Sequence, residues 1–271
     1  MDKIKSLTGM LDLYDDGDNS LLPAKLFYLE EKIKHIFKSY KLNEIRTPVL
    51  EDANLFIRSV GGASDIVNKE IYSFNDRNDK GIALRPEGTA SVIRSIVEKK
   101  LDQSNHKLWY LGPMWRYERP QKGRYRQFNQ AGVEILGIPE GMPEFEMISI
   151  VCSIITEFNL ENCTIKINHL GNQKSKESFC NALIDFLEPH KKLLDEKDNQ
   201  RLEKNPLRVL DTKNTNTQEI LKNAPSIKEF LDSSSVNLLN SIKNEFSDIC
   251  DIEIDYTLVR GLDYYSGFVF E

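Results

Sequence analysis

Lys107–Glu118 (KLWYLGPMWRYE), Arg119–Arg126 (RPQKGRYR) and Gln127–Gly137 (QFNQAGVEILG) together decide how this chain is read. Both flanks are rich in aromatic and β-branched residues, and the middle is polar and contains a glycine. That pattern predicts an antiparallel hairpin with a long tip. Side chains alternate along a strand, so Phe128, Gln130, Gly132, Glu134 and Leu136 share one face, and Met114, Arg116 and Glu118 share another. Alternation does not say whether the two faces coincide. If they do, Arg116, Gln130 and Glu134 converge between apolar neighbours, which is costly unless they pair or bind something. The other reading is an outward, solvated face. From Arg116 to Arg126 the chain carries Arg116, Arg119, Lys122, Arg124 and Arg126 against one acid, Glu118. Such a tip suits phosphate, because guanidinium forks match phosphate oxygens two at a time, and it is equally open to reading as a solvated loop.

Outward from the hairpin, Arg85–Thr89 (RPEGT) frames a carboxylate with Pro and Gly just before a helical stretch. Glu87 there is either simple helix-start chemistry or part of a site. Leu258–Tyr265 (LVRGLDYY) places an arginine beside glycine and two tyrosines, either a pocket wall or an edge turn. Apolar spacing predicts helices over residues 23–40, 88–100 and 143–158. The first carries Leu26, Leu29, Ile33, Ile36, Phe37 and Tyr40 on one stripe, with Asn19 or Ser20 as caps. Pro48 ends a short extension from Asn43 to Arg46. Residues 251–271 predict a strand pair interrupted at Gly261. Residues 171–247 are polar and helical, with stretches 195–205 and 211–218 read as solvated connectors. The fold class is α+β: a mixed, mainly antiparallel sheet flanked by helices, with a core over residues 1–170, a helical insertion over 171–247 and a return to the core over 248–271.

Composition bounds the function. Of 271 residues, 36 are Lys or Arg and 42 are Asp or Glu, a net charge of −6. That excludes a generally basic nucleic-acid binder, so polyanion contacts need a local patch. No signal sequence or membrane span is legible, and Cys152, Cys163, Cys180 and Cys250 are scattered without a CxxC pair. Buried free thiols in a cytoplasmic protein are expected, with no protein-bound metal and no membrane partner. P-loop, GxGxxG, GxSxG and HExxH motifs are absent.

Taken in order, these segments resemble the histidyl-tRNA synthetases, which are class II aminoacyl-tRNA synthetases. Asn43–Glu51 (NEIRTPVLE) resembles the family's first motif, which builds a dimer interface. Leu55–Phe74 and Leu84–Ala90 (LRPEGTA) follow as they do in that family. Trp109–Gly137 is similar to the second motif, and Leu258–Glu271 (LVRGLDYYSGFVFE) to the histidine signature. The resemblance implies activation of L-histidine by ATP with Mg²⁺ to histidyl-adenylate, transfer to tRNA(His), and a homodimer. It places Arg116 and Arg260 on the transferring phosphoryl group and among the residues that bind L-histidine, with Glu87, Gly88, Thr89 and Gln130 around the α-ammonium. Glu134, Tyr264 and Tyr265 fall on the imidazole, and Arg119, Lys122, Arg124 and Arg126 on ATP phosphates and the tRNA acceptor end.

Two departures accompany the resemblance. Gly62 stands where the family usually carries an acidic residue. The family also continues past this signature into a third motif and an anticodon-binding domain, so the 271 residues alone are expected to charge tRNA poorly. A second reading is a non-catalytic relative, either the regulatory subunit of ATP phosphoribosyltransferase or a histidine/tRNA sensor module. Such relatives have no need for Arg116, Gln130, Glu134, Arg260, Tyr264 and Tyr265 together.

Overall fold

A computed structural model describes residues 3–14, 17, 23–60, 70–260 and 265–271. The chain divides into two compact units, Met1–Pro143 and Glu144–Glu271. The first contains α1 (Pro23–Ser39), β1 (Asn43–Glu44), β2 (Leu50–Asp52), α2 (Ala53–Val60), β3 (Ser73–Asn75), β4 (Gly81–Leu84), α3 (Thr89–Glu98), β5 (His106–Trp115) and β6 (Gln127–Leu136). One sheet runs β1-β5-β6 and a second β2-β4-β3.

The predicted hairpin forms with β5 and β6 in register from His106↔Leu136 to Trp115↔Gln127. The ladder continues where Arg116 N–H donates to Arg126 O at 2.9 Å. Because Met114 pairs with Phe128, Gly112 with Gln130 and Leu108 with Glu134, the two faces coincide. On that face Tyr110 and Met114 pack against Val92 of α3. The opposite face carries Trp109, whose ring centroid lies 5.6 Å from that of Phe37 on α1. The helix α1 follows its predicted span but buries only the end of its stripe: Ile36 and Phe37 are buried, whereas Leu29 is 41% exposed. The caps proposed for it at Asn19 and Ser20, and the loop around Gly62, lie outside the described residues.

At the boundary α4 (Met142–Glu157) begins, and the second unit continues with β7 (Thr164–His169), α5 (Gln173–Leu187), α6 (Glu196–Lys204), α7 (Thr215–Leu221), α8 (Ser233–Phe246), β8 (Asp251–Ile254) and β9 (Phe268–Phe270), with short 3-10 turns between the helices. Its sheet has the order β8-β7-β9. The expected pairing within 251–271 is therefore corrected: β8 lies parallel to β7 and β9 antiparallel to it, on opposite sides. The strand also ends at Ile254. Asp255 accepts hydrogen bonds from the N–H and hydroxyl of Thr257 (2.9 and 2.6 Å), and its carbonyl accepts from Leu258 N–H, which turns the chain. Ile165, Ile167, Leu239, Ile242 and Ile252 close one core with Ile148 and Cys152 of α4. Each such burial contributes about 1.5–3 kcal/mol.

The two stretches read as solvated connectors are a second correction. Asp195 caps α6 and Asn214 caps α7, each side chain accepting from backbone N–H groups of the first turn. Asp198 is buried, accepting from the Thr212 hydroxyl at 2.6 Å and from Arg201 at 3.2 Å. Polar composition there reflects caps and a satisfied buried pair, which hydropathy cannot distinguish from a loop. The cysteines divide as well: Cys152 and Cys250 are buried, whereas Cys163 is exposed, and all four are free. Burial pushes the Cys152 thiol up to about 12. Among the described residues no helix is long and apolar enough to cross a membrane.

Candidate active site

The site is built where α3 begins beneath the hairpin. Pro86 and Gly88 are buried, and the Glu87 carboxylate, 3% exposed, accepts from Thr89 N–H (2.7 Å) and Ala90 N–H (2.9 Å). It thus satisfies two amides of the α3 N-terminus, so the helix-start reading of Glu87 is met. Thr89 turns its hydroxyl across to the hairpin and donates to Glu134 Oε1 at 2.7 Å. Arg116 reaches the same place from the end of the ladder: its Nε donates to Pro86 O at 2.8 Å, and its guanidinium lies 5.1 Å from the Phe128 ring centroid. Gln130 presents a buried Oε1 that finds no hydrogen-bond donor among the described residues. Glu87, Thr89, Arg116, Gln130 and Glu134 therefore all belong to one patch of the first unit.

The electrostatics follow from burial. Desolvation pushes the Glu134 carboxyl up to about 7, opposed by the Thr89 hydroxyl and reinforced by the charge of Glu87. Desolvation also raises Glu87, against the pull of its two backbone amides and of Arg116. The patch holds two carboxylates that resist ionisation, one acceptor without a donor, and one fixed cation. Such a patch is suited to a ligand that brings positive charge and N–H donors to Glu134 and Gln130 and negative charge to Arg116.

The basic tip is less uniform than its sequence. Arg119, Lys122 and Arg124 are exposed, with Arg124 at 3.5 Å from Glu118. Arg126 is committed to the protein: its guanidinium stacks 3.8 Å over the Tyr117 ring and its Nε donates to Glu118 O. In the second unit Arg260 forms an ion pair with Glu271 at 3.1 Å, and Tyr265 O accepts from Lys176 Nζ at 3.1 Å. Tyr264 lies outside the described residues. No group of three His, Cys, Asp or Glu among the described residues is placed to hold a metal ion.

A family model described as histidyl-tRNA synthetase matches residues 22–271. The chain belongs to the histidyl-tRNA synthetase family. It is 44% identical over 262 residues to a histidine–tRNA ligase of Francisella philomiragia, covering 94% of this chain and 62% of that protein. A histidine–tRNA ligase of Limosilactobacillus fermentum is also 44% identical, over 90% of this chain and 58% of its own length. The apo histidyl-tRNA synthetase of S. aureus superposes with a TM-score of 0.75 at 33% identity, covering 99% of this chain and 61% of that one. A Bacillus halodurans structure named as an ATP phosphoribosyltransferase regulatory subunit/histidyl-tRNA synthetase shares the fold, with a TM-score of 0.66 at 20% identity. This synthetase-family chain thus spans about three fifths of the curated relatives it matches.

Sequence reading missed two residues of the site. Arg85 is buried, with Nε on Pro113 O (3.1 Å) and Nη1 on Thr47 O (2.8 Å) and Oγ1 (3.1 Å), so it ties its own segment to two others. Tyr110 is buried against Gly88 and Gly132, and a Cβ on either glycine would stand only 2.3 or 2.2 Å from its ring carbons. The available signal was two glycines, one inside a strand and one at a helix start, neither required by a turn.

The raised carboxyl gives a pH prediction. Glu134 has a folded value above its ordinary 4.5, so its stabilising contribution is complete below 4.5 and is lost as pH rises through about 7. Glu134→Gln cannot ionise. Urea unfolding of that variant should show a smaller loss of stability between pH 5 and 7.5 than the wild type, by up to about 3 kcal/mol. Parallel pH profiles would remove Glu134 as the buried titrating group.

Proposed function

We propose that this chain is the catalytic region of a class II histidine–tRNA ligase, with residues 171–247 inserted in a core formed by 1–170 and 248–271. The observation that carries the proposal is the patch where Glu134, Gln130 and Glu87 stand beside Arg116 under one hairpin face. On this reading the α-ammonium of L-histidine donates to Gln130 and to the Glu87–Thr89 corner, and the imidazole to Glu134. A histidine carboxylate oxygen attacks the α-phosphorus of ATP, the bond to the bridging oxygen breaks, and pyrophosphate leaves with its Mg²⁺. Arg116 offers fixed positive charge as the phosphoryl group becomes more negative, and such charge lowers the barrier because it is in place beforehand. The terminal ribose hydroxyl of tRNA(His) then attacks the adenylate carbonyl and AMP departs. Arg119, Lys122 and Arg124 serve the phosphates and the acceptor end. Roles for Arg260, Tyr264 and Tyr265 rest on the resemblance of Leu258–Glu271 alone. A homodimer, an ATP requirement and a cytoplasmic location belong to the same proposal.

Isothermal titration of the chain with L-histidine tests it. Binding in the roughly 1 μM–1 mM range is expected, with none for L-phenylalanine, because a polar clasp left unpaired rejects a ring without nitrogens. Equal affinity for both amino acids, or for neither, would sink the assignment. Histidine binding with no histidine-dependent ATP–pyrophosphate exchange, even in a longer chain containing this sequence, would favour the regulatory or sensor reading.

A further inference from the structure

We propose that the Leu7–Met10 turn is a latch that fixes the basic hairpin loop through Arg126, making Gly9 and Tyr117 positioning residues; this rests on the reading of that loop as the phosphate-handling element. The turn closes where Met10 N–H donates to Leu7 O at 2.9 Å, with Gly9 at φ +77°. Gly9 O then accepts from Arg126 N–H at 2.7 Å and Gln127 N–H at 3.3 Å, the last residue of the loop and the first of β6. The approach is close enough that a Cβ on Gly9 would stand 2.9 Å from Arg126 Cγ and 3.2 Å from its backbone nitrogen. A side chain at Gly9 is excluded twice, by backbone conformation and by Arg126.

Arg126 carries the constraint across the base of the loop. Its guanidinium covers the Tyr117 ring and its Nε holds Glu118 O, so the two strands leaving the ladder are tied side to side. Tyr117 is secured from the other flank, its N–H donating to Glu70 O at 2.6 Å and its ring meeting Tyr72 edge-on at 5.4 Å. Within this frame Gln121 and Arg124 form a reciprocal backbone pair around Gly123, leaving Arg119, Lys122 and Arg124 exposed at the tip. A loop whose cations are already placed loses less freedom on meeting a triphosphate, so the latch acts on ATP affinity and leaves the histidine patch untouched.

The test compares the wild-type chain with Gly9→Val, Arg126→Ala, Tyr117→Leu and Tyr117→Phe. Trypsin cleavage after Lys122 and Arg124 should accelerate about tenfold in the first three, because local opening sets the rate once two hydrogen bonds or a stacked ion are lost. Titration calorimetry should show ATP affinity falling several-fold in Gly9→Val, which removes no charge, while L-histidine affinity stays unchanged. Tyr117→Phe keeps the stacked ring and should match the wild type in every measurement. If Gly9→Val does not fold, Gly9→Ala and Tyr117→Leu carry the same comparison. Unchanged cleavage in the latch variants would overturn the latch. Faster cleavage with unchanged ATP affinity would overturn its positioning role. A wild-type chain that binds neither ATP nor histidine would instead sink the ligase reading, leaving the cleavage rates to decide the latch alone.

Discussion

Gly132→Val should destabilise the first unit by about 3 kcal/mol or more, lowering its thermal midpoint by roughly 10 °C. Valine is normally favoured over glycine inside a strand, so the expected sign opposes β-propensity and rests wholly on one contact. The Tyr110 ring occupies the space a Gly132 side chain would need, and Gly88 closes the other side of the same ring. Retreat is blocked, because Tyr110 is buried against Val92 and Met114. Combining Gly132→Ala with Tyr110→Ala should cost less than the two single changes added together, since one makes the space that the other fills. Calorimetric scans of the single and double variants check this. A Gly132→Val chain as stable as the wild type would show that the ring is not fixed where it is described.

Arg116→Ala should lower affinity for a non-hydrolysable histidyl-adenylate analogue about 100-fold while changing L-histidine affinity by less than about fivefold. The difference isolates the phosphoryl group, and a charge-assisted contact to an anion is worth about 1.5–3 kcal/mol where water is excluded. The Arg116 side chain is held ready for such a contact. Its Nε is taken by Pro86 O and its guanidinium carbon stands 5.1 Å from the Phe128 ring centroid, which leaves the Nη edge to meet a ligand, with Glu118 at 3.8 Å. Titration of the variant with both ligands gives the ratio. Equal losses for histidine and for the analogue would mean that Arg116 supports the patch without touching the phosphoryl group.

Alternation along residues 107–137 was enough to place Gln130 and Glu134 on one face, because a period of two is a property of each strand alone. Whether Arg116 joined them depended on register, which the long tip sets and which only pairing reveals. Glu87 is legible both as a helix-start carboxylate and as a candidate site residue, and its geometry satisfies two amides of the first turn while leaving it beside Arg116 and Glu134. The role of Arg85 is not legible in its motif, since a buried arginine satisfied by distant carbonyls leaves no local pattern. The error at residues 251–259 had the same origin: hydrophobic alternation ran on through Asp255, while the side chain of Asp255 folded the backbone into a turn. In residues 195–205 and 211–218 polar composition suggests connectors where the chain forms capped helices, because caps and solvent-exposed connectors use the same residue types.

The parallel pairing of β7 with β8 also bears on how this chain tolerates insertions and deletions. Thr164 lies opposite Asp251 and Ile167 opposite Ile254, so the chain leaves β7 at one end of the sheet and must re-enter at the other. A connection of that kind has a minimum length, because it has to travel back along a strand before it can begin the next. The helix α8 makes the return, with Leu239, Ile242 and Phe246 buried against the sheet, and its span is therefore inelastic. Length variation among relatives should accumulate instead at the 3-10 turns and exposed joints between α5 and α8, where residues can be gained or lost without changing where the next strand starts.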